Sequence, residues 1–578
     1  MASFSTLRGE PLSRRWRLEA EVDDSAAGAL AAALSVPVPF ARLLVQRGYG
    51  SVETARRFLR PSRADLHDPF LLPDMDVAVE RLARAVRHGE TVLVHGDYDV
   101  DGQAATAILT RAIRHAGGLA VPFVPHRLRD GYDLGMAGVR EAAERKASLI
   151  VALDCGTTAV ESIRQALSRG IEVIVADHHL PGPERPPALA LVNPRRPESS
   201  YPFPDLCGAA LAWKLALALH TSLALGEAYV WHLVDLVALA TVADLVPLIG
   251  ENRVLTRLGL KVMKQTRWPG LAALIAESGL SGRTIRAGQV AFVLGPRINA
   301  AGRVGDAADG LRLLLSDDEE EAHLLARQLG RQNEERQALD QRTLEEALQD
   351  LESWFDPARH VGVVLAREGW HPGVIGIVAS RVVERIARPT FLVALDGDLG
   401  KGSGRSVPRC DLHAALSRCS GHLERWGGHR MAAGLTVSRA RLGEFRDAFN
   451  RAVGEQVSAD QLFPTQRVDA VLSLADITSE LERLLRTLEP TGMGNPSPVF
   501  GLKSVRLEGE PRPIGEAHVR LVLTDGERRL RTVAWGQREA VEAVVSGASC
   551  LDAAVKLELD TWMGRDTVEG RLVALAAS

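Results

Sequence analysis

Short apolar runs recur about every 28 positions through the first third of the chain: TVLVHG, LAVPFVP, SLIVALD and EVIVAD. Helical stretches such as QAATAILTRAIRHAG and AVESIRQALSRG separate them. Unbroken apolar runs alternating with helices predict parallel strands in βαβ units, and so a doubly wound α/β domain over 71–255. Such sheets bind ligands beyond the carboxyl ends of their strands. Residues 1–70 mix helical stretches with Pro and Gly, and are expected to pack on this domain. Residues 256–356 read as a helical connector. The charged stretch that closes the connector opens with a Ser/Asp cap and an acidic turn. It predicts one long helix, or two broken near Gly330. α/β character returns over 357–455, and short alternating strands over 456–578 predict a small OB-like β-barrel. The fold class is therefore multidomain α/β: parallel-sheet domain, helical spacer, second α/β domain and C-terminal barrel.

Composition narrows the class. With 46% hydrophobic and 25% charged residues the chain is globular, not disordered or fibrous. Its net charge of −4 argues against a protein whose whole surface binds nucleic acid. Residues 361–430, however, carry ten Lys/Arg against six Asp/Glu. Five scattered cysteines and an N-terminus without an apolar core predict a cytoplasmic location. The longest apolar run, HLVDLVALATVADLVPLI, contains Asp235 and Asp244 and is expected to be a buried helix, not a membrane span.

Candidate chemistry clusters at the strand ends. After TVLV come His95, Asp97, Asp99 and Asp101, and alternate residues of extended backbone share a face. Carboxylates crowded in this way repel unless a cation lies between them. SLIVALD ends at Asp154, and EVIVAD ends at Asp177 followed by His178 and His179. Adjacent residues on extended backbone point opposite ways, so one of these histidines is expected to reach a shared site. Mixed His and Asp donors favour Mn²⁺, with Mg²⁺ as the alternative, and Asp154 is the natural bridge between two ions. Asp235 and Asp244 lie nine residues apart, about half a helical rotation, so they cannot both face one site; the pattern does not choose between them. In the second half, Gly427, Gly428 and His429, together with Arg405 and Ser406 in a Gly-rich stretch read as a loop, suit phosphate contacts.

Taken in order, HGDYDVDG, DCG, DHH and TVAD resemble the four motifs of the DHH phosphoesterase superfamily, and WGGH resembles the loop of its companion DHHA1 domain. The resemblance implies Asp244 as the fourth-motif ligand, His178 as the metal-binding histidine and His179 beside it, nearer the substrate. One ion is then expected on Asp99 and Asp154 with His95. The other is expected on Asp101, Asp154, His178 and Asp244, with Asp97 an outer or weaker ligand. HRLRDGY, PRINAAGR, GWHPGVIGIVASR and LEPTGMGNPSPVF resemble the RecJ family of single-strand-specific 5′→3′ DNA exonucleases. That implies a DNA strand threaded between the DHH and DHHA1 domains. It implies a 5′-phosphate pocket of Arg127, Tyr132, Arg297, Asn299 and Arg303, and further contacts from Ser380 and Arg381.

Release of 5′-mononucleotides, a role in DNA repair and recombination, and a monomeric state follow as expectations. The partners would be single-stranded DNA, with single-strand-binding protein or a helicase. The alternatives are a phosphodiesterase of cyclic dinucleotides or nano-RNA, and a decayed single-strand-binding scaffold. Two departures stand out: Asp133 where the family usually has Gly, and DCGTT for the commoner DxGI. The chain also ends soon after the barrel, where some relatives continue into a partner-docking domain.

Overall fold

A computed structural model describes residues 14–19, 23–127, 129–560 and 567–578. The chain divides into two compact units: 53–335 with 487–497, and the remainder.

The first unit is built on a five-stranded sheet, all parallel, in the order Leu119–Phe123, Thr91–Gly96, Leu149–Leu153, Glu172–Ala176, Ala190–Val192. Alternation along the strands feeds two cores. Val92, Val94, Leu149, Val151 and Leu153 pack with helices Met75–His88, Val100–His115 and Gly208–Ser222. Leu93, Ile150 and Ala152 pack with Met136–Glu144 and Val160–Leu167 on the other face. This is the expected doubly wound domain. Chain order reverses between Thr91–Gly96 and Leu149–Leu153, and that switch point is where an α/β sheet opens a crevice at its carboxyl edge. Helix Val234–Ala243 is buried along nearly its whole length. Among the described residues no single helix is long and apolar enough to cross a membrane.

Glu319–Trp354 is one 36-residue helix, unbroken at Gly330. Ala322, Leu325, Ala326 and Leu329 serve the core of the first unit. Leu344, Ala347, Leu348 and Leu351 serve a core of the second, the 3.6-residue repeat of a helix with one apolar stripe.

The second unit holds a five-stranded sheet ordered Arg425–Gly428, Ala432–Ser438, Leu399–Arg405, Thr390–Asp396, Val363–Glu368, with the last pair parallel. Leu399–Arg405 corrects the expectation of a Gly-rich loop. It is a strand, and a Cβ at Gly400, Gly402 or Gly404 would come within 2.4–2.6 Å of Val393, Leu435 or Phe391. The glycines make room for a tightly packed core. A mixed seven-stranded sheet follows, with Phe500–Leu507 paired to Leu551–Asp560 and, over two residues, to His518–Thr524. Helix Arg538–Val545 interrupts the expected run of strands.

The N-terminal segment departs from expectation. Arg15–Leu18 pairs in parallel with Thr465–Val468, and Trp16 fills the space a side chain at Gly501 would occupy, 2.6 Å from its Cβ position. The described residues up to 52 group with the second unit, and only 53–70 with the parallel-sheet domain. Expectations for residues 1–13, and for Thr561–Met563 at the end of the strand ELDTWM, fall outside the described residues.

Candidate metal centre

The loop after Thr91–Gly96 turns within van der Waals limits. A Cβ on Gly102 would lie 2.3 Å from the Asp97 nitrogen, and one on Gly96 would lie 2.3 Å from the Gly102 carbonyl oxygen. Two glycines therefore let Asp97, Asp99 and Asp101 crowd together. Asp99 caps helix Val100–His115, accepting from the amides of Asp101 (2.9 Å) and Gly102 (3.2 Å). The Asp101 carboxylate accepts from the amides of Gly208 and Ala209, each at 2.7 Å, at the N-terminus of helix Gly208–Ser222. Asp154 leaves its strand at φ +59°, and Gly208 lies so close that a Cβ there would meet the Asp154 Cβ at 2.4 Å.

The side chains converge into three overlapping groups: Asp97, Asp99 and Asp154; Asp101, His178 and Asp244; Asp154, His178 and His179. Within each, the donor atoms lie within 4.8 Å of one another. His178 Nε2 is 3.1 Å from Asp154 Oδ1 and 3.8 Å from both Asp101 Oδ2 and Asp244 Oδ2. Burial, reinforced by the neighbouring carboxylates, pushes the Asp154 and Asp97 acids well up and that of Asp244 to about 9. Burial also lowers His178 and keeps its imidazole neutral. Asp97 Oδ1 is buried without a hydrogen-bond partner, and Asp154 Oδ1 and His178 Nε2, though 3.1 Å apart, make no hydrogen bond of acceptable geometry. Divalent cations would satisfy those orphaned atoms and relieve the repulsion, so the donor set fits the expected metals.

His179 differs from its neighbour. Its Nδ1 is 2.7 Å from Asp177 Oδ1, and although burial opposes the charge, that bond lifts the imidazole to about 9. Asp177 also accepts from the amides of Thr157, His178 and His179, and despite its burial stays below the ordinary carboxylate range. Asp177 thus orients the histidine pair and joins none of the three groups.

His95 does not join them either. Strand alternation turns it to the side of Leu93, where its Nδ1 lies 3.6 Å from Cys155 Sγ and burial lowers it to about 4. Asp235, the rival of Asp244, is a core residue: it accepts from Thr266 Oγ1 at 2.6 Å and from the Leu236 amide at 2.8 Å.

Four of the five expected 5′-phosphate residues gather around Tyr98. The Arg127 guanidinium lies 5.0 Å over its ring, and Tyr132 meets it edge-on at 6.3 Å. Asn299 accepts from the Val100 amide at 3.1 Å, and Arg303 is close enough to act on the phenol electrostatically. Arg297 instead donates to the Val293 carbonyl of its own helix at 2.7 Å.

Family models match in three places: the DHH family N-terminal domain over 91–241, the DHHA1 domain over 360–455 and the RecJ OB domain over 468–574. The single-stranded-DNA-specific exonuclease RecJ of Dickeya dadantii is 35% identical, over 96% of this chain and 97% of that protein. The chain belongs to the RecJ family. RecJ of Bacillus subtilis is also 35% identical, over 95% of this chain and 69% of its own length. The crystal structure of Thermus thermophilus RecJ in complex with Mn²⁺ superposes with a TM-score of 0.84 at 34% identity, covering 98% of this chain and 80% of that one. A Mg²⁺ complex of the same RecJ superposes at 0.77, with 32% identity, over 98% and 78%.

The DHHA1 half of this RecJ-family chain departs from the expected phosphate contacts. Gly427 and Gly428 lie in a strand paired with Gly434 and Ala433, not in a loop. Gly428 has φ +140°, and a Cβ there would strike Ala433. His429 follows at the hairpin turn, its amide donating to Ala432 and its imidazole exposed. Ser406 donates to the Cys410 carbonyl, Arg405 to that of Gly404, and Ser380 to that of Gly376. Arg381 pairs with Asp340 at 3.0 Å. Tyr98, Gly208 and Asn193, which donates to Thr157 Oγ1 and the His179 carbonyl, went unnoticed in the sequence. Their roles depend on contacts between segments far apart in the chain.

Proposed function

We propose that the protein is a metal-dependent exonuclease that degrades single-stranded DNA from the 5′ end to 5′-mononucleotides, in DNA repair and recombination. The observation that carries this is the set of three ligand groups, linked through Asp154 and His178, at the switch point of the parallel sheet. Asp97, Asp99 and Asp154 would hold one ion, and Asp101, Asp154, His178 and Asp244 the other. When bound, the two ions supply Lewis acidity to the phosphoryl oxygens and activate water near neutral pH. His179, fixed by Asp177 through its Nδ1, donates a hydrogen bond to a phosphoryl oxygen. Arg127, Tyr132, Asn299 and Arg303 receive the 5′-terminal nucleotide. In the DHHA1 domain, His429, exposed at its hairpin turn, is the remaining phosphate contact. We assign the DHH domain to 71–255, the connector to 256–356, DHHA1 to 357–455 and the OB-like domain to 456–578. The working enzyme is a cytoplasmic monomer that meets single-strand-binding protein or a helicase on its substrate.

The test is release of nucleotides in Mn²⁺ from 5′- and 3′-labelled DNA and RNA strands of graded length. Rapid loss of the 5′ label from long DNA as mononucleotides supports the reading. A preference for dinucleotides points to a small-substrate phosphodiesterase, and binding without release to a scaffold. Asp154→Ala should lower turnover by about 1,000-fold or more while single-strand binding survives.

A further inference from the structure

The loop over 126–135 brings Arg127 and Tyr132 beside the carboxylates, and something must hold it there. Tyr132 is about half exposed; its hydroxyl lies 3.0 Å from His179 Nε2. The next residue, Asp133, has φ +78°, a left-handed conformation that L side chains other than Asn and Asp seldom take. Its carboxylate makes three short contacts. Oδ1 accepts from the Leu134 amide at 2.8 Å and from the Gly156 amide at 2.6 Å. Oδ2 accepts from Thr158 Oγ1 at 2.9 Å. Gly156 and Thr158 belong to the turn that begins at Asp154, and Asp177 holds the same turn from its other side through the Thr157 amide. One side chain therefore fastens the loop carrying Tyr132 to the turn carrying Asp154, across more than twenty residues of chain.

We infer that Asp133 is a positioning residue: its carboxylate clamps the Arg127–Tyr132 loop onto the Asp154–Thr158 turn and so sets where the first nucleotide of the strand is received. This rests on the exonuclease reading above. Asp133 touches none of the grouped donor atoms, so the clamp acts on substrate placement and not on metal affinity. Two variants separate the carboxylate from the backbone. Asp133→Gly keeps the left-handed turn and removes all three hydrogen bonds. Asp133→Asn keeps Oδ1 as acceptor for both amides and tolerates the same φ. Thr158→Val removes the second arm alone.

The experiment measures KM and kcat on 5′-phosphorylated single strands with Mn²⁺, together with Mn²⁺ affinity, melting temperature and the rate of tryptic cleavage after Arg127 and Arg129. The expected result for Asp133→Gly is a KM raised about tenfold, kcat within about twofold, unchanged Mn²⁺ affinity and faster cleavage in the loop. Asp133→Asn should restore KM to near the wild-type value, and Thr158→Val should fall between. A wild-type KM and cleavage rate in Asp133→Gly overturns the clamp. So does a fall in Mn²⁺ affinity with a parallel fall in kcat, which marks a structural role at the metal turn. If the unaltered protein releases no nucleotides, the exonuclease reading fails, and the tryptic rates still decide whether Asp133 holds the loop.

Discussion

At the scale of single residues, burial decides what each carboxyl does. Asp244 and Asp235 share one helical run, yet Asp244 faces His178 and Asp101 while Asp235 faces Thr266. Burial raises the Asp235 acid from 3.8 to about 7, even against the Thr266 hydrogen bond. The folded protein therefore prefers the protonated acid. The cost of ionising it is absent below about pH 4, grows with rising pH and is complete above about pH 7. Asp235→Asn carries no such pH-dependent cost. Its stability relative to the parent should rise between pH 4 and pH 8 by on the order of 3–4 kcal/mol, measured by urea denaturation at each pH. A difference independent of pH would show that Asp235 does not titrate in this window. The run Asp97, Asp99 and Asp101 was legible in the sequence as carboxylates at a strand end, but the extended alternation was not: Asp99 caps helix Val100–His115, and Asp101 lies in its first turn and joins a different group. The exclusion of His95 was not legible, since it depends on the Cys155 and Phe123 side of the sheet receiving that ring.

At the scale of elements, glycine sets how closely strands and helices approach. Gly208 opens the helix whose first amides hold Asp101, and it lies against Asp154. Gly208→Ala would drive a methyl group into Asp154, so Mn²⁺ affinity by isothermal titration should fall about tenfold or more. The glycine-rich strand Leu399–Arg405 makes the opposite point. Its composition resembles an anion cradle, but the missing side chains are replaced by Val393, Leu435 and Phe391. Gly404→Ala is therefore expected to cost about 1–3 kcal/mol of stability by overpacking, read by thermal or urea denaturation. Loss of activity at unchanged stability would restore the cradle reading. The strands of the parallel sheet were legible because their apolar runs have the right length and spacing. Leu399–Arg405 was not, because a glycine strand lacks the side chains from which a strand is recognised.

At the scale of the molecule, the net charge of −4 is a sum over unlike parts. Asp97, Asp99, Asp101, Asp154 and Asp244 crowd one crevice of the first unit, while the segment 361–430 of the second is basic. Because burial and mutual repulsion raise most of these acids, a divalent ion must displace protons to bind. Mn²⁺ should raise the melting temperature by several degrees, with a binding heat that depends on the buffer and an affinity that rises from pH 6 to pH 8. Removal of the ion with a chelator should reverse the shift. An affinity independent of pH would mean that the acids are already ionised.

The strand–helix alternation, the strand ends at which chemistry would collect, and the family resemblance were all legible without a structure. All of these follow from short-range periodicity and from motifs a few residues long. The motif resemblance already pointed to Asp244 over Asp235, and the fold supplied the reason by placing Asp235 against Thr266. Only long-range packing set the Cys155 side chain against His95, joined Asp133 to Thr158 and paired Arg15–Leu18 with Thr465–Val468. Those outcomes depend on which distant surfaces fill one another's space. A local pattern shows which way a side chain leaves the backbone, but not what the rest of the chain places in front of it.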